Sequence, residues 1–387
     1  MNNCLVCGAS ELFEFSKFKE FLRVTSDEQP FRRGGKLFVC DDCGAVQKRV
    51  DERWLAEIGE IYQKYATFKK SGGDEQIVFD QRSGNLRRRS SILMERINEM
   101  VGLADHGQIL DIGCGNGVTL KAFSEIFPQW HLFGQEIDGR SKEMLGLLAG
   151  FKQLFTCTPE IVPGTYALIN LIHTLEHFVE PLCVLRGLVP KLELNGLLFV
   201  QVCNLDENPF DLLIADHLLH FTPPTLNLLA QKAGYEVVSI ATDWIPKEIS
   251  ALFGLASKLN RGGIACASPG LARQRVERHL AWLNQLEATA REALSAFRPC
   301  GLFGSTIAAT WLGGALGDAI DFFVEEDPSR CGKQLLRKPI LHPRDVPEGS
   351  CVYLGLAPIT ARKIYSRLVN SKFQLILPPE YEDNLLC

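Results

Sequence analysis

Several groups of residues have types and spacings that suit chemistry. The run Gln108-Ile109-Leu110-Asp111-Ile112-Gly113-Cys114-Gly115-Asn116-Gly117 carries a short apolar stretch into three glycines at alternate positions. Glycine there permits a left-handed backbone and removes the β-carbons, so a ligand can lie directly on the chain where a strand turns into a helix. The spacing is G-x-G-x-G, not the G-x-G-x-x-G of a dinucleotide site, and Asp111 stands just ahead of it. A carboxylate at that point repels a diphosphate but accepts hydrogen bonds from an ammonium group. Glu136 follows the first glycine at the distance where an acidic side chain can accept both hydroxyls of a ribose, and Asp138 could substitute for it.

Cys4-Leu5-Val6-Cys7 and Cys40-Asp41-Asp42-Cys43 form two Cys-x-x-Cys knuckles, each followed by a glycine, Gly8 and Gly44. Each knuckle can wrap two sulfurs around one tetrahedral ion, which predicts a structural Zn²⁺ on four thiolates with no open position for catalysis. A third group is His173-Thr174-Leu175-Glu176-His177, and a fourth is Ile214-Ala215-Asp216-His217-Leu218-Leu219-His220-Phe221.

The elements that must position these groups alternate as a doubly wound α/β domain does. Strands are expected at 108–112, 131–135, 166–172, 197–202 and 236–241, and helices at 86–101, 118–127 and from Thr222-Pro223 to Ala233, closed by Gly234. The polar string from His173 then lies at a strand's C-terminal end, in the crevice where open α/β sheets bind ligands. His173 is the expected contact; Glu176 and His177 either line the pocket or tie the next helix to the sheet. Ahead of this domain, 54–68 reads as a helix followed by the polar linker 69–74, where Tyr65 and Phe68 could cover a ligand or serve as core. The basic run Arg87-Arg88-Arg89 reads as a solvated helix face.

After a Gly-, Ser- and Ala-rich linker at 256–270, a helix is expected over 274–297, either a spacer or a partner helix in a dimer. Cys300-Gly301-Leu302-Phe303-Gly304-Ser305-Thr306 is a further glycine turn, with strands expected at 320–324, 352–356 and 373–377. The resulting division is a zinc-binding domain over 1–75, a cofactor-binding α/β domain over 76–250, a linker and connecting helix over 251–298, and a C-terminal Rossmann-like domain over 299–387.

Composition narrows the function. A net charge of −5 without a basic tail disfavours RNA or DNA as substrate. Thirteen cysteines scattered through 387 residues, without a signal peptide, point to reducing cytoplasm, and no stretch is apolar enough to predict a membrane span.

The glycine loop with Asp111, the acidic Glu136 and the His-x-Leu-Glu-His string resemble class I S-adenosylmethionine (SAM) methyltransferases. With the cysteine knuckles before and the α/β domain after, the whole chain resembles the three-domain sugar C-methyltransferases that act on nucleotide-activated keto-deoxysugars. The resemblance implies that Asp111, Gly113, Gly115, Gly117, Glu136 and His173 hold SAM. It also implies that His217 is the base that removes a proton next to the sugar ketone, giving an enolate that attacks the sulfonium methyl. A neutral imidazole of pKa near ~6.5 suits that task, with Asp216 beside it to orient the ring or raise its basicity. Tyr65, Asn204, His220, Gly301, Gly304 and Ser305 become candidate contacts to the sugar nucleotide, unless the third domain is a ligand-free relic. The family commonly has tyrosine at the position of Ile214 and an aromatic at that of His220. That departure leaves room for O- or N-methylation of another small metabolite, or for a non-catalytic protein that binds SAM or a nucleotide sugar.

Overall fold

The computed structural model describes residues 3–65, 75, 77–80, 82–256, 269–296 and 299–381. Phe68, the linker 69–74, most of the 256–270 linker and Phe297 lie outside the described residues.

The central sheet has seven strands in the order Phe151–Phe155, His131–Gln135, Gln108–Ile112, Tyr166–Ile172, Leu192–Cys203, Glu248–Leu255 and Tyr235–Ala241. The first five pair in parallel, and Glu248–Leu255 runs antiparallel to both neighbours. Its strands are near-continuous apolar runs because both faces are covered. Helices Arg89–Val101 and Val118–Ile126 bury Ile92, Leu93, Ile97, Leu120 and Phe123 with Ile109, Leu168 and Phe199. Helices Pro181–Leu188 and Pro223–Ala233 cover the other face, packing Leu185, Leu188, Leu226 and Leu229 on Leu110, Ile169 and Val200. The chain builds outward from Gln108–Ile112 and then returns to its other side with Tyr166–Ile172. That reversal opens a crevice at the carboxyl ends of those two strands.

The N-terminal segment does not stand apart. Strands Leu12–Glu14, Leu37–Cys40 and Val46–Lys48 form a sheet whose fourth strand is Leu219–His220, from the expected acceptor stretch. The amide of Lys48 donates to Leu218 O at 2.7 Å and that of Ala215 to Val24 O at 2.7 Å, fastening the same stretch twice more. The helix that follows spans Glu52–Lys64, capped by Asp51, which accepts from the Trp54 amide.

Helix Pro269–Ser295 is an internal pillar. Its stripe Val276, Leu283, Leu286, Ala290 and Leu294 is buried among Phe18 and Phe21 of the N-terminal segment, Phe210 and Leu213, and Trp311 and Leu312 of the C-terminal part. Its apolar face is therefore spent inside the chain. The last sheet has six strands, ordered Gln334–Leu335, Lys338–Leu341, Phe322–Val324, Cys300–Phe303, Cys351–Tyr353 and Gln374–Ile376. All but Gln334–Leu335 are parallel, with helices Ile307–Leu316 and Pro358–Leu368 beside them. Among the described residues no helix is long and apolar enough to cross a membrane.

Two sequence expectations need correction. The helix expected from Leu86 begins at Arg89, because Leu86–Arg88 pairs as a strand with Ile77–Phe79 across a turn at Gly84, where φ is +71°. The boundary expected at 250 falls inside Glu248–Leu255, a strand whose core residues form an unbroken buried run with no period-2 signal.

Phe210 packs edge-on against Trp282 and Trp311, at 5.6 and 6.0 Å between ring centroids, and so joins the pillar to the C-terminal part. Phe210→Ala should lower stability by about 3–5 kcal/mol, read as an earlier midpoint in urea unfolding.

Candidate active site

The crevice holds the glycine loop on one wall. Gly113, Gly115 and Gly117 all have positive φ, at +70°, +53° and +82°. At Gly113 the missing side chain is also a packing requirement, since a β-carbon would lie 2.5 Å from Thr174 Oγ1. That hydroxyl donates to Ile112 O and Ile172 O, stitching the two strands where the crevice opens. Glu136 reaches back to the loop: its Oε2 accepts from the Gly115 amide at 2.8 Å and its Oε1 from the Ile137 amide at 2.7 Å. Asp138 is turned away, paired with Arg140. Asp111 is buried; desolvation, with Glu136 adding to it, pushes its pKa up to about 8. A ligand ammonium group is the kind of partner that would lower it again.

His173 stands at the end of Tyr166–Ile172 with φ +49°, a left-handed conformation that is strained for histidine. Arg89, placed by the start of its helix, puts NH1 2.8 Å from His173 Nε2 and 3.4 Å from Glu248 Oε1. Burial opposes a charge on His173, yet Glu248, with help from Glu176 and against Arg89, carries its pKa to about 9. Arg89 was therefore misjudged as part of a solvated face. The signal lay in its position opening the helix beside the crevice, which the sequence cannot show without the preceding hairpin.

The other wall comes from the stretch that the N-terminal sheet captures. His217 is held by Asp211: Nδ1–H donates to Oδ1 at 2.6 Å. His220 donates from its own Nδ1 to Asp211 Oδ2 at 2.7 Å. All three side chains are buried. Desolvation alone would neutralise Asp211, but His220 and His217 outweigh it and hold its pKa far below the ordinary carboxylate range. Burial pulls His217 down and Asp211 more than compensates, leaving it raised.

Asp216, expected to orient His217, does not do so. Its Oδ1 accepts from the Ser26 amide at 2.9 Å and its Oδ2 from Ser26 Oγ at 2.5 Å, so the N-terminal loop takes both oxygens. Ser26 Oγ also lies 3.3 Å from the Tyr65 hydroxyl. The His177 ring stands perpendicular to that of His217, 4.8 Å between centroids, with Nδ1–H donating to Asp216 O at 3.0 Å. Glu176 is buried, with Oε1 3.4 Å from His173 Nδ1. One ligand atom each from Glu176, His177 and His217 falls within 4.8 Å of the others.

The remaining candidates divide. Tyr65 stays at the site, beside Tyr62 at 5.5 Å between centroids. Asn204 instead caps its own turn: Oδ1 accepts from the Asp206 amide and Nδ2 donates to Glu207. His220 lies in the pairing strand with Nε2 sealed off, not facing a ligand. Gly301 makes room for Phe322, whose ring would meet its β-carbon at 2.4 Å. Ser305 is fully buried and donates to Glu325 at 2.7 Å, while Gly304, with φ +97°, makes the turn.

The four cysteines come together as expected. Cys4 and Cys43 sulfurs are 3.6 Å apart, those of Cys7 and Cys40 3.5 Å, and all four lie within 4.8 Å of one another. Zn–S bonds of about 2.3 Å in a tetrahedron place sulfurs roughly 3.8 Å apart, so the donor set fits. Amides of Val6 and Cys7 both point at Cys4 Sγ at 3.4 Å, as they do toward a thiolate.

Residues 86–240 match the family model described as a methyltransferase domain. That match covers less than half of the chain. A curated relative, the ubiquinone biosynthesis O-methyltransferase of Bordetella avium (strain 197N), is 25% identical over 142 residues. The match takes in 34% of this chain and 57% of the relative, so the chain spans little more than half of that protein's length. Among solved structures, the 1,6-didemethyltoxoflavin-N1-methyltransferase of Burkholderia thailandensis aligns with a TM-score of 0.40 at 13% identity, over 55% of this chain and 96% of that one. The CcbJ methyltransferase of Streptomyces caelestis aligns at 0.36 and 14% identity, over 43% of this chain and 94% of that one. The matched residues contain the glycine loop, Glu136, His173 and His217, all placed around one crevice. SAM is the donor such a domain uses.

The Glu136 carboxylate, which holds the Gly115 amide, is the residue the sequence assigns to the ribose hydroxyls, and its removal tests that assignment. Glu136→Ala should weaken binding of S-adenosylhomocysteine about 10- to 100-fold in calorimetry, the loss expected of hydrogen bonds to a charged acceptor.

Proposed function

We propose that the protein is a SAM-dependent methyltransferase that C-methylates a nucleotide-activated keto-deoxysugar, with His217 as the general base. The observation that carries this reading is the His217–Asp211 hydrogen bond of 2.6 Å. Asp211 fixes the proton on Nδ1, so Nε2 keeps its lone pair free for a substrate proton. Bound SAM supplies a methyl already activated as a sulfonium. The protein's own task is then to remove one C–H proton next to the ketone and hold the resulting enolate in line. The proton moves to His217 Nε2, the C–H electron pair becomes the enolate, and Asp211 stabilises the imidazolium.

Ile214 cannot serve the enolate oxygen, since it is buried in the apolar cluster around Phe210 and its carbonyl accepts from Lys48. Tyr65 supports that role better. Burial and the nearby Asp216 hold its pKa well above the ordinary phenol value, so it remains a neutral hydrogen-bond donor. Zn²⁺ on Cys4, Cys7, Cys40 and Cys43 is structural in this reading. Its knuckles pack in the same core as Leu171, Val202 and Leu219, so the metal braces the strand pairing that carries the acceptor stretch.

His217→Gln should slow deuterium exchange at the carbon beside the ketone by a factor of 10²–10⁴, with the zinc-loaded protein, a keto-deoxysugar nucleotide and S-adenosylhomocysteine in D2O. Exchange unchanged in the variant removes His217 as base. The relative from Bordetella avium is named as an O-methyltransferase, which keeps O- or N-methylation as the rival; methyl transfer to a hydroxyl or amine without any C–H exchange would favour it. Elemental analysis should find one zinc per chain, lost in Cys40→Ser together with an earlier thermal transition.

A further inference from the structure

His220 departs from the aromatic that the resembling family places there, and the structure gives it a task. Asp211 has two oxygens and two imidazoles. Oδ1 takes Nδ1–H of His217 at 2.6 Å and Oδ2 takes Nδ1–H of His220 at 2.7 Å. His220 is held in register by pairing with Val46, and its Nε2 is buried without a hydrogen-bond partner among the described residues. The ring therefore has no route to pass a proton to a substrate or to water. Its one polar contact is the carboxylate that also holds the base.

We propose that His220 is a positioning residue that claims one oxygen of Asp211 and thereby limits how tightly the other oxygen keeps a proton on His217. A carboxylate that accepts a second hydrogen bond is a weaker acceptor for the first, because part of its charge is already engaged. An aromatic hydrocarbon at this position would take the imidazole N–H away from Oδ2, leaving only the weaker Cys203 thiol beside the carboxylate, and shift negative charge toward His217. A smaller fraction of His217 would then be neutral and able to accept a proton.

The surroundings support that division. His217 is faced by Asp211, Glu176 and Asp216, which favour its protonation, by His177, whose ring abuts it, and by the thiol of Cys203, which also lies against Asp211. His220 is faced by Asp211, by His217 and by Lys48, whose Nζ donates to the carbonyls of Ile214 and His217. Burial first, with Lys48 adding, lowers the pKa of His220 to about 4, so it stays a neutral donor across the physiological range.

The test is a titration of the full-length, zinc-loaded protein labelled with ¹⁵N-histidine, with the His217 signal assigned by its loss in His217→Gln. His220→Phe should raise the His217 midpoint by about one unit, a tenfold smaller deprotonated fraction below it. His220→Asn, whose amide nitrogen takes the place of Nδ1, should restore the native midpoint. His220→Gln carries its amide past Asp211 and should behave like Phe, which keeps the comparison available should His220→Phe not fold. A midpoint unmoved in both Phe and Gln variants, or moved equally by Asn, overturns the proposal. The role as base rests on the proposed function, whereas the titration does not. A shifted midpoint in a protein that exchanges no substrate proton would retain His220 and remove the base.

Discussion

A carboxylate removed from water must be paired, and Asp211 is the buried charge around which the acceptor side of this protein is assembled. Two imidazoles supply the pairing, one to each oxygen. Breaking a buried pair leaves an uncompensated charge that costs several kcal/mol, so Asp211, His217 and His220 fix one another's positions. Asp211 comes from a 3₁₀ turn, Pro209–Leu213, His217 from the loop that follows it and His220 from the two-residue strand Leu219–His220, none of which could hold a geometry alone. The N-terminal sheet holds it for them, by pairing Val46 and Gln47 with His220 and Leu219.

That dependence explains why the chain's parts are packed together and not strung along a line. The loop around Ser26 touches Asp216 and Tyr65, and two residues on, Glu28 pairs with Arg330 of the C-terminal part at 3.0 Å. Helix Pro269–Ser295 contributes the apolar stripe against which the N-terminal phenylalanines, Phe210 and Trp311 all pack. The wall around Asp211 is therefore braced by every part of the chain, while the glycine-loop wall is built from the central sheet and the start of helix Arg89–Val101.

The donor wall follows a different logic. Three glycines, one carboxylate and the switch in strand order produce a ligand-ready turn from local rules. The additions the sequence did not announce are long-range: Arg89 and Glu248 gather on His173 from a helix start and from an antiparallel strand. A half-buried cluster of mixed charge gathers there because those two elements end at the same rim of the sheet.

The sequence by itself determined the elements whose signals are local. The glycine turn, the strands at 108–112, 131–135 and 166–172, the proline-opened and glycine-closed helix Pro223–Ala233, and the cysteine knuckles all follow from spacing, φ preference or ligand geometry within a few residues. Tertiary structure decided which carboxylate pairs with which imidazole. Asp216 adjoins His217 in sequence, but neighbouring side chains in an extended loop diverge, and Ser26, 190 residues away, takes its carboxylate. Asp211, six residues before His217, comes into reach because the turn between them folds back onto a strand supplied by the N-terminal sheet. Pairing partners so distant in sequence leave no periodic trace, and only the packed chain brings them together.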